Sequence, residues 1–464
     1  PIVWLSFFAI ILGSLTIVIT FASQNVPKLI DLYMDHWPSL LFVWWAVACL
    51  IHAFTIKIFS EAGVEIVSSL IFNYHVLLAV SLVIGFPFVL SILKSTKTSN
   101  VIENLLEGSY AKFKRLAKKG STGIISQEEH AKIQYQLFEE LNQLMDLLVF
   151  VPYKEPKSQI IEGIGELLRY YVKLKPKFPE DFYKIDQQIH DDISFRTLKS
   201  LLAEVEKSHT FYEQKSFRMI GDVYNVFLDK GEFDLSTLCV EQLSQVGKTA
   251  MECDDQELIE VITVRLNTYF RFALKHGQHN NEPRNLYNLV FHYGQFLNYL
   301  VEHRQVDRVK TCIGYFVFYG QQCFNAIPRA RSLAFILDIL ASEMQKLMQI
   351  IYQNNWERKL QQELLQKFLL FDNFQDMDKE IAIQFFSQNH GIRLLHIGLA
   401  LFYLNQNEKE FAETIAKDTL QDLLLLGEPL FSKTMDTIFA RLQYSGAKFW
   451  EDTDRGNVNI YYTP

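Results

Sequence analysis

Apolar positions divide the chain into two regimes. Up to Leu93 they form three long runs; beyond Ser126 they recur with a helical period. Pro1–Pro27 carries no charged residue, Pro38–Ile56 is uncharged and holds His52, and Ile66–Leu93 holds His75. Each run supplies the ~18–20 apolar residues needed to cross a hydrocarbon core ~30 Å thick. Backbone in lipid must satisfy its own hydrogen bonds, so the runs predict three transmembrane helices. Gly85 and Pro87 predict a kink near Phe86 in the third. Between the first two, Val26, Leu29, Ile30, Tyr33, Met34 and Trp37 fall on one helical face, with Lys28, Asp31 and Asp35 off it. This predicts an amphipathic helix over residues 25–37, capped by Asn25, lying at the interface or against its neighbours.

Beyond a hinge at Gly120–Gly123 the pattern is helical almost throughout, so the fold class is all-α. Ser126 followed by Glu129 is a capping box that opens a helix to about Val151. Further helices are expected at Ser158–Lys173, Pro179–Asp191, Ser194–Lys207, Thr210–Leu228, Leu235–Met251, Gln256–Lys275, Asn285–Glu302 and Val306–Ala326. The series continues at Ala330–Gln353, Glu357–Phe371, Lys379–Phe386, Ile392–Leu404, Glu408–Leu426 and Pro429–Leu442. Only the tail, Asn457–Tyr462, has strand character. Glycine follows an apolar residue inside helices at Gly221, Gly247, Gly294 and Gly398, which predicts close helix approach. The interval from Gly247 to Gly294 falls in the ~40–47-residue range of HEAT-like pairs, so a solenoid-like helical-repeat domain is expected. The organisation read from the sequence is a transmembrane part at 1–95, a basic juxtamembrane linker at 96–125, a helical-repeat domain at 126–445 and an extended tail at 446–464.

Charge sets the orientation. Lys94, Lys97, Lys112, Lys114, Arg115, Lys118 and Lys119 follow the third run against only Glu103 and Glu107. Basic flanks stay on the cytoplasmic side, which places the repeat domain in the cytoplasm. Counting back puts Pro1 outside, consistent with a fourth span upstream of it. The same cluster can attract anionic lipid at ~1 kcal/mol per residue, or simply set topology. With Lys28, Tyr33 and Trp37, these residues form the expected membrane interface. The chain carries a net charge of −8, and an acidic soluble part argues against nucleic acid as a partner. Five cysteines, odd in number and without CxxC spacing, suit a reducing compartment.

Phe21-Ala22-Ser23-Gln24-Asn25-Val26-Pro27-Lys28-Leu29-Ile30 resembles an element of the bacterial inner-membrane family known as domain-of-unknown-function 2254. The span that follows and the exit from Lys94 to Glu107 are similar to that family's third and fourth spans. The resemblance covers roughly residues 1–110. Val26 stands where the family usually has Ser, and the family's glycine-rich β segment after the spans is absent. The resemblance implies an inner-membrane location and four spans before a cytoplasmic part; the family has no established activity to carry over.

Candidate chemistry is sparse. Gly247-Lys248-Thr249 imitates the end of a phosphate loop, but Gln242 stands where that loop needs glycine. His276 and His279, with His292 and His303 downstream, could share a metal; a helix end at Gly277 and Asn280–Asn281 explains the first two equally well. Cys312 and Cys323 flank Gly314–Tyr319 on a helix apolar nearly all round, expected to be central, with a cofactor or lipid groove as the alternative. Asp452–Gly456 lacks the full ligand set of a calcium loop. His52 and His75 sit in spans that contain no Asp, Glu, Lys or Arg. No catalytic residue, metal or cofactor is expected, and no enzymatic activity. The expected function is a membrane-anchored scaffold that docks partner proteins on its cytoplasmic helical surface, within a larger complex or a homo-oligomer. The alternative is a subunit of an oligomeric channel or transporter gated by that domain; an enzyme acting on lipid would lack a nucleophile.

Overall fold

The computed structural model describes residues 2–6, 9, 13, 16, 37–64, 66–95, 97–120, 126–190, 192, 195, 200–372, 380, 383, 390–443, 451, 452, 456 and 457. Contacts group the chain into two compact units. The first comprises Pro1–Leu167 and Lys177–Lys199; the second comprises Leu168–Pro176 and Ser200–Pro464.

In the first unit the second apolar run is helix α1, Trp37–Glu61. The third is α2, Val67–Ile71, then a π-helical turn, Phe72–Leu77, then α3, Leu78–Ser95. Two stretches here, Leu41–Glu61 and Val67–Gly85, are long and apolar enough to cross a membrane. The described residues 2–6 of the first run are helical. Pro87, on which the expected kink near Phe86 rests, lies inside α3, and a π-helical widening precedes it around Asn73. The amphipathic helix expected over 25–37 lies outside the described residues except at Trp37.

Helix α4, Thr98–Gly120, pairs with α5, Gln127–Phe150. Ser126 caps α5 as its sequence signature predicts, its Oγ accepting from Glu129 N at 3.3 Å. Helix α6, Lys154–Leu174, follows a turn at Pro152 and carries Pro156 in its first turn. Pro179–Asp191, expected as one helix, is not one. It forms a 3₁₀ turn, Glu180–Tyr183, and a single turn α7, Gln187–His190. The cause is Gln134: its amide donates to Phe182 O and Lys184 O, and its carbonyl accepts from Asp186 N at 3.2 Å. Those bonds hold the segment extended where helix bonds would otherwise form.

The second unit is a two-layered array of helical pairs. After α8, Leu202–Lys207, come α9, Phe211–Lys230; α10, Phe233–Glu252; α11, Gln256–Asn280; and α12, Arg284–Glu302. They are followed by α13, Val306–Ala326; α14, Leu333–Gln353; and α15, Arg358–Leu369. The last are α16, Gly391–Asn405; α17, Lys409–Leu426; and α18, Glu428–Gln443. Alternate helices stack on one another: α9, α11, α13 and α15 in one layer, α10, α12, α14 and α16 in the other. The helix expected at 379–386 lies outside the described residues. In the tail, Glu451–Asp452 (β1) pairs antiparallel with Gly456–Asn457 (β2), just ahead of the expected strand; residues 458–464 lie outside the described ones.

One turn is used repeatedly between pairs. His209, Asp254, Arg304, Asn355 and Asn407 all have φ between 52° and 63°. Each donates its N–H to the carbonyl three residues back, and the following residue donates to the carbonyl five residues back. This is a Schellman cap, which satisfies the orphan carbonyls of a helix end. It recurs about every 50 residues, slightly longer than the ~40–47 of HEAT-type arrays. Gly247 and Gly294 sit at close approaches, as their positions predict. A Cβ at Gly247 would meet the Phe296 ring at 2.6 Å, and one at Gly294 would meet Glu343 Oε2 at 2.6 Å. Both contacts run between successive helices of the second layer, where a missing side chain lets backbones approach.

Candidate functional surfaces

In the first unit the apolar helices are joined by a polar latch. Asn73, buried in the π-helical turn, accepts from Trp4 Nε1 at 2.7 Å, and its amide nitrogen donates to His52 Nδ1 at 2.9 Å. A second link runs from Trp45 Nε1 to Ser81 Oγ at 2.9 Å. His75 bonds within its own helix, to Ile71 O at 3.3 Å. Polar side chains that meet this way between apolar helices act as glue. Sequence reading singled out His52 and His75; it missed Asn73, whose signal is an amide in an otherwise apolar run.

The basic residues after α3 are partly committed to the protein itself. Lys112 pairs with Glu140, which also accepts from Ser109 Oγ at 2.6 Å. Arg115 pairs with Glu129. Lys97, Lys114 and Lys118 have exposed side chains. Lys94 falls in the last turn of α3, Trp37 at the start of α1 and Lys119 near the end of α4; Lys28 and Tyr33 lie outside the described residues.

Within the array, two buried ion clusters tie helices together. Lys175 Nζ lies 2.9 Å from Glu213 Oε1 and 2.7 Å from Asp255 Oδ2, while Asp255 also caps α11 by accepting from Leu258 N. Burial pushes the Glu213 carboxyl above its usual range, with Lys175 opposing. On α16, Arg393 reaches Asp418 at 2.6 Å and Asp422 at 2.6 Å on α17. His396 packs beside this pair, edge-on to Phe368 at 4.6 Å. Burial and the Arg393 charge hold its imidazole well below the usual histidine range.

Solvent-facing apolar side chains occur along the first layer and again at the end of the array, where Leu401 and Leu404 of α16, Leu420 and Leu424 of α17 and Phe439 of α18 are exposed. Val264 of α11 and Phe318 of α13 are 54% and 52% exposed, with Val226 and Tyr315 also exposed. By contrast, no residue among 285–301 of α12 or 333–352 of α14 is exposed. Sequence reading placed Val306–Ala326 centrally, as apolar nearly all round. It does pack on both layers, but its Tyr315 and Phe318 edge faces out, and the enclosed helices are α12 and α14.

The metal candidates do not converge. His276 is edge-on to Phe233, His279 closes α11 in its last turn, His292 lies against Phe291 and 3.2 Å from Gln295, and His303 bonds Tyr299 O. Among the described residues no group of three His, Cys, Asp or Glu could hold a metal ion. Gly247-Lys248-Thr249 lies within α10, with Lys248 over the Tyr299 ring. Burial pushes the Cys312 and Cys323 thiols up to about 12, which keeps them as protonated core groups.

Compared with protein-family models, and likewise with curated proteins, the chain shows no match. Among solved structures it is similar, at a TM-score of 0.34 and 11% identity, to a "Circular tandem repeat protein with novel repeat topology and enhanced subunit contact surfaces". The alignment covers 89% of this chain and 99% of that one.

Proposed function

We propose that the chain is a multi-pass membrane-anchored scaffold whose helical-repeat array docks partner proteins on the cytoplasmic side of a bacterial inner membrane, with no catalysis of its own. The observation that carries the reading is the union of two apolar stretches of membrane-crossing length with a stacked array that exposes Val264, Tyr315 and Phe318. Repeat arrays offer extended faces because each pair contacts only its neighbours. Exposed aromatics on a rigid helix are the side chains that most often anchor interfaces. The cytoplasmic side follows from Lys94 and Lys97 at the end of the last span, and the inner membrane from the resemblance of residues 1–110.

The test is purification of the full chain from native membranes in mild detergent, with particle mass and identification of every co-purifying chain. The expected result is a hetero-complex of fixed stoichiometry that dissociates in the Tyr315→Ser/Phe318→Ser double variant. A homo-oligomer without partners overturns the scaffold and turns attention to conductance in reconstituted bilayers.

A further inference from the structure

The turn between α5 and α6 has the wrong chemistry for a solvent-facing helix connection. Val149 and Phe150 are each 57% exposed and Tyr153 is 73% exposed, next to the fully enclosed Leu147, Leu148 and Val151. The inward side of this turn already has its core, so the outward side chains are apolar for another reason. Lys154, also exposed, follows directly.

Helix register says where this turn lies. Ser109 and Lys112 of α4 meet Glu140 of α5, and Arg115 of α4 meets Glu129. The two helices are antiparallel, so moving toward the start of α4 moves toward the end of α5. Phe150 therefore falls beside the first turn of α4. Helix α6 agrees: Gly163 packs against Leu106, which brings its start to the same end. Helix α3 stops at Ser95, three residues before α4 begins. Three residues span at most ~11 Å, and packed helices lie ~8–10 Å apart. The apolar turn is thus beside the point where the chain leaves the third apolar run, whatever the angle between α3 and α4.

We propose that Val149, Phe150 and Tyr153 form an interfacial anchor that enters the headgroup region of the bilayer beside the exit of α3. The proposal rests on the membrane reading above. Its occupant is the lipid surface. Aliphatic and aromatic tips suit the acyl–headgroup boundary, a tyrosine places its hydroxyl at headgroup level, and the exposed Lys97 and Lys154 suit anionic phosphates. The α4–α5 hairpin would then be held at its base by covalent continuity with α3 and by this second contact, which together restrict its tilt.

The experiment uses the full chain with Cys253→Ser, the partly exposed native thiol, in vesicles of phosphatidylethanolamine and phosphatidylglycerol, with an environment-sensitive fluorophore at one introduced cysteine and lipid-borne quenchers at known depth. Three variants suffice: Val83→Cys on α3, Tyr153→Cys at the turn, and Glu128→Cys at the far end of α5. The last is ~33 Å from Phe150 at 1.5 Å per residue. Expected are strong quenching at 83 by deep quenchers, at least two-fold quenching at 153 by shallow ones, and none at 128. Quenching at 83 with none at 153 overturns the anchor and leaves the membrane reading standing. Absence of quenching at both 83 and 153 overturns both. Equal quenching at 153 and 128 overturns a tip anchor in favour of a hairpin lying flat.

Discussion

At the scale of single residues, two glycines and a histidine give the sharpest tests. Gly247→Ala drives a methyl into the Phe296 ring, which is itself enclosed. Overpacking of that kind costs ~1–3 kcal/mol. Gly294→Ala meets the end of the Glu343 side chain, which can swing aside. Denaturant titration is expected to rank Gly247→Ala as the more damaging change. His396 makes stability depend on pH. Its folded pKa is depressed, so below about 6.5 the unfolded chain takes up a proton that the folded array refuses. Stability is complete above pH 7 and declines as pH falls below 6.5, with a slope of up to ~1.4 kcal/mol per pH unit from this group. Thermal melts between pH 7 and 5 should show a steeper acid loss in the wild type than in His396→Leu. Residue-level signals were legible where they were local. Gly247 and Gly294 announced close approach by standing inside apolar helices. Asn73 and the Arg393 cluster were not legible, because their partners are distant in sequence.

At the scale of elements, amphipathic period and capping were enough to place most helices. Val306–Ala326 agrees with its expected bounds, and Ser126 caps α5 as its spacing requires. Pro179–Asp191 failed because the Gln134 side chain, not the local pattern, decides that backbone. The recurrent Schellman turn was also hidden. Glycine usually marks it, yet His209, Asp254, Arg304, Asn355 and Asn407 occupy the left-handed position. An L residue there costs ~1–2 kcal/mol, partly recovered through the stiffer unfolded chain. Arg304→Gly is therefore expected to stabilise the array by roughly 0.5 kcal/mol, seen as a higher urea midpoint. A lower midpoint would mean that the Arg304 side chain contributes more than its backbone costs.

At the scale of the whole molecule, the array is quasi-one-dimensional, so protection against unfolding should grade from its ends inward. Hydrogen exchange is expected to be slowest in α12 and α14, which expose nothing along most of their length, and fastest in α17 and α18. Uniform exchange would mean the pairs fold as one cooperative block. The helical class and the division between apolar runs and periodic helices were legible from the sequence. The grouping of α4, α5 and the first part of α6 with the apolar helices was not, since it depends on Glu140, Glu129 and Gly163 meeting partners on α4.

The π-helical turn at Phe72–Leu77 has a consequence for how the apolar bundle can vary. A π turn holds one more residue than an α turn, so it acts as a phase shifter: everything after it is rotated by ~100° relative to an uninterrupted helix. Ser81 and Phe88, which meet Trp45 and Phe42 of α1, keep their aim only because of that offset. Losing a single residue from the turn would return it to an α turn and leave Ser81 and Phe88 on the same face, whereas regaining α geometry with no residue lost would swing that face of α3 outward by ~100°. The bundle can thus absorb the loss of one residue at this turn, while the same loss further along α3 would rotate every apolar contact beyond it.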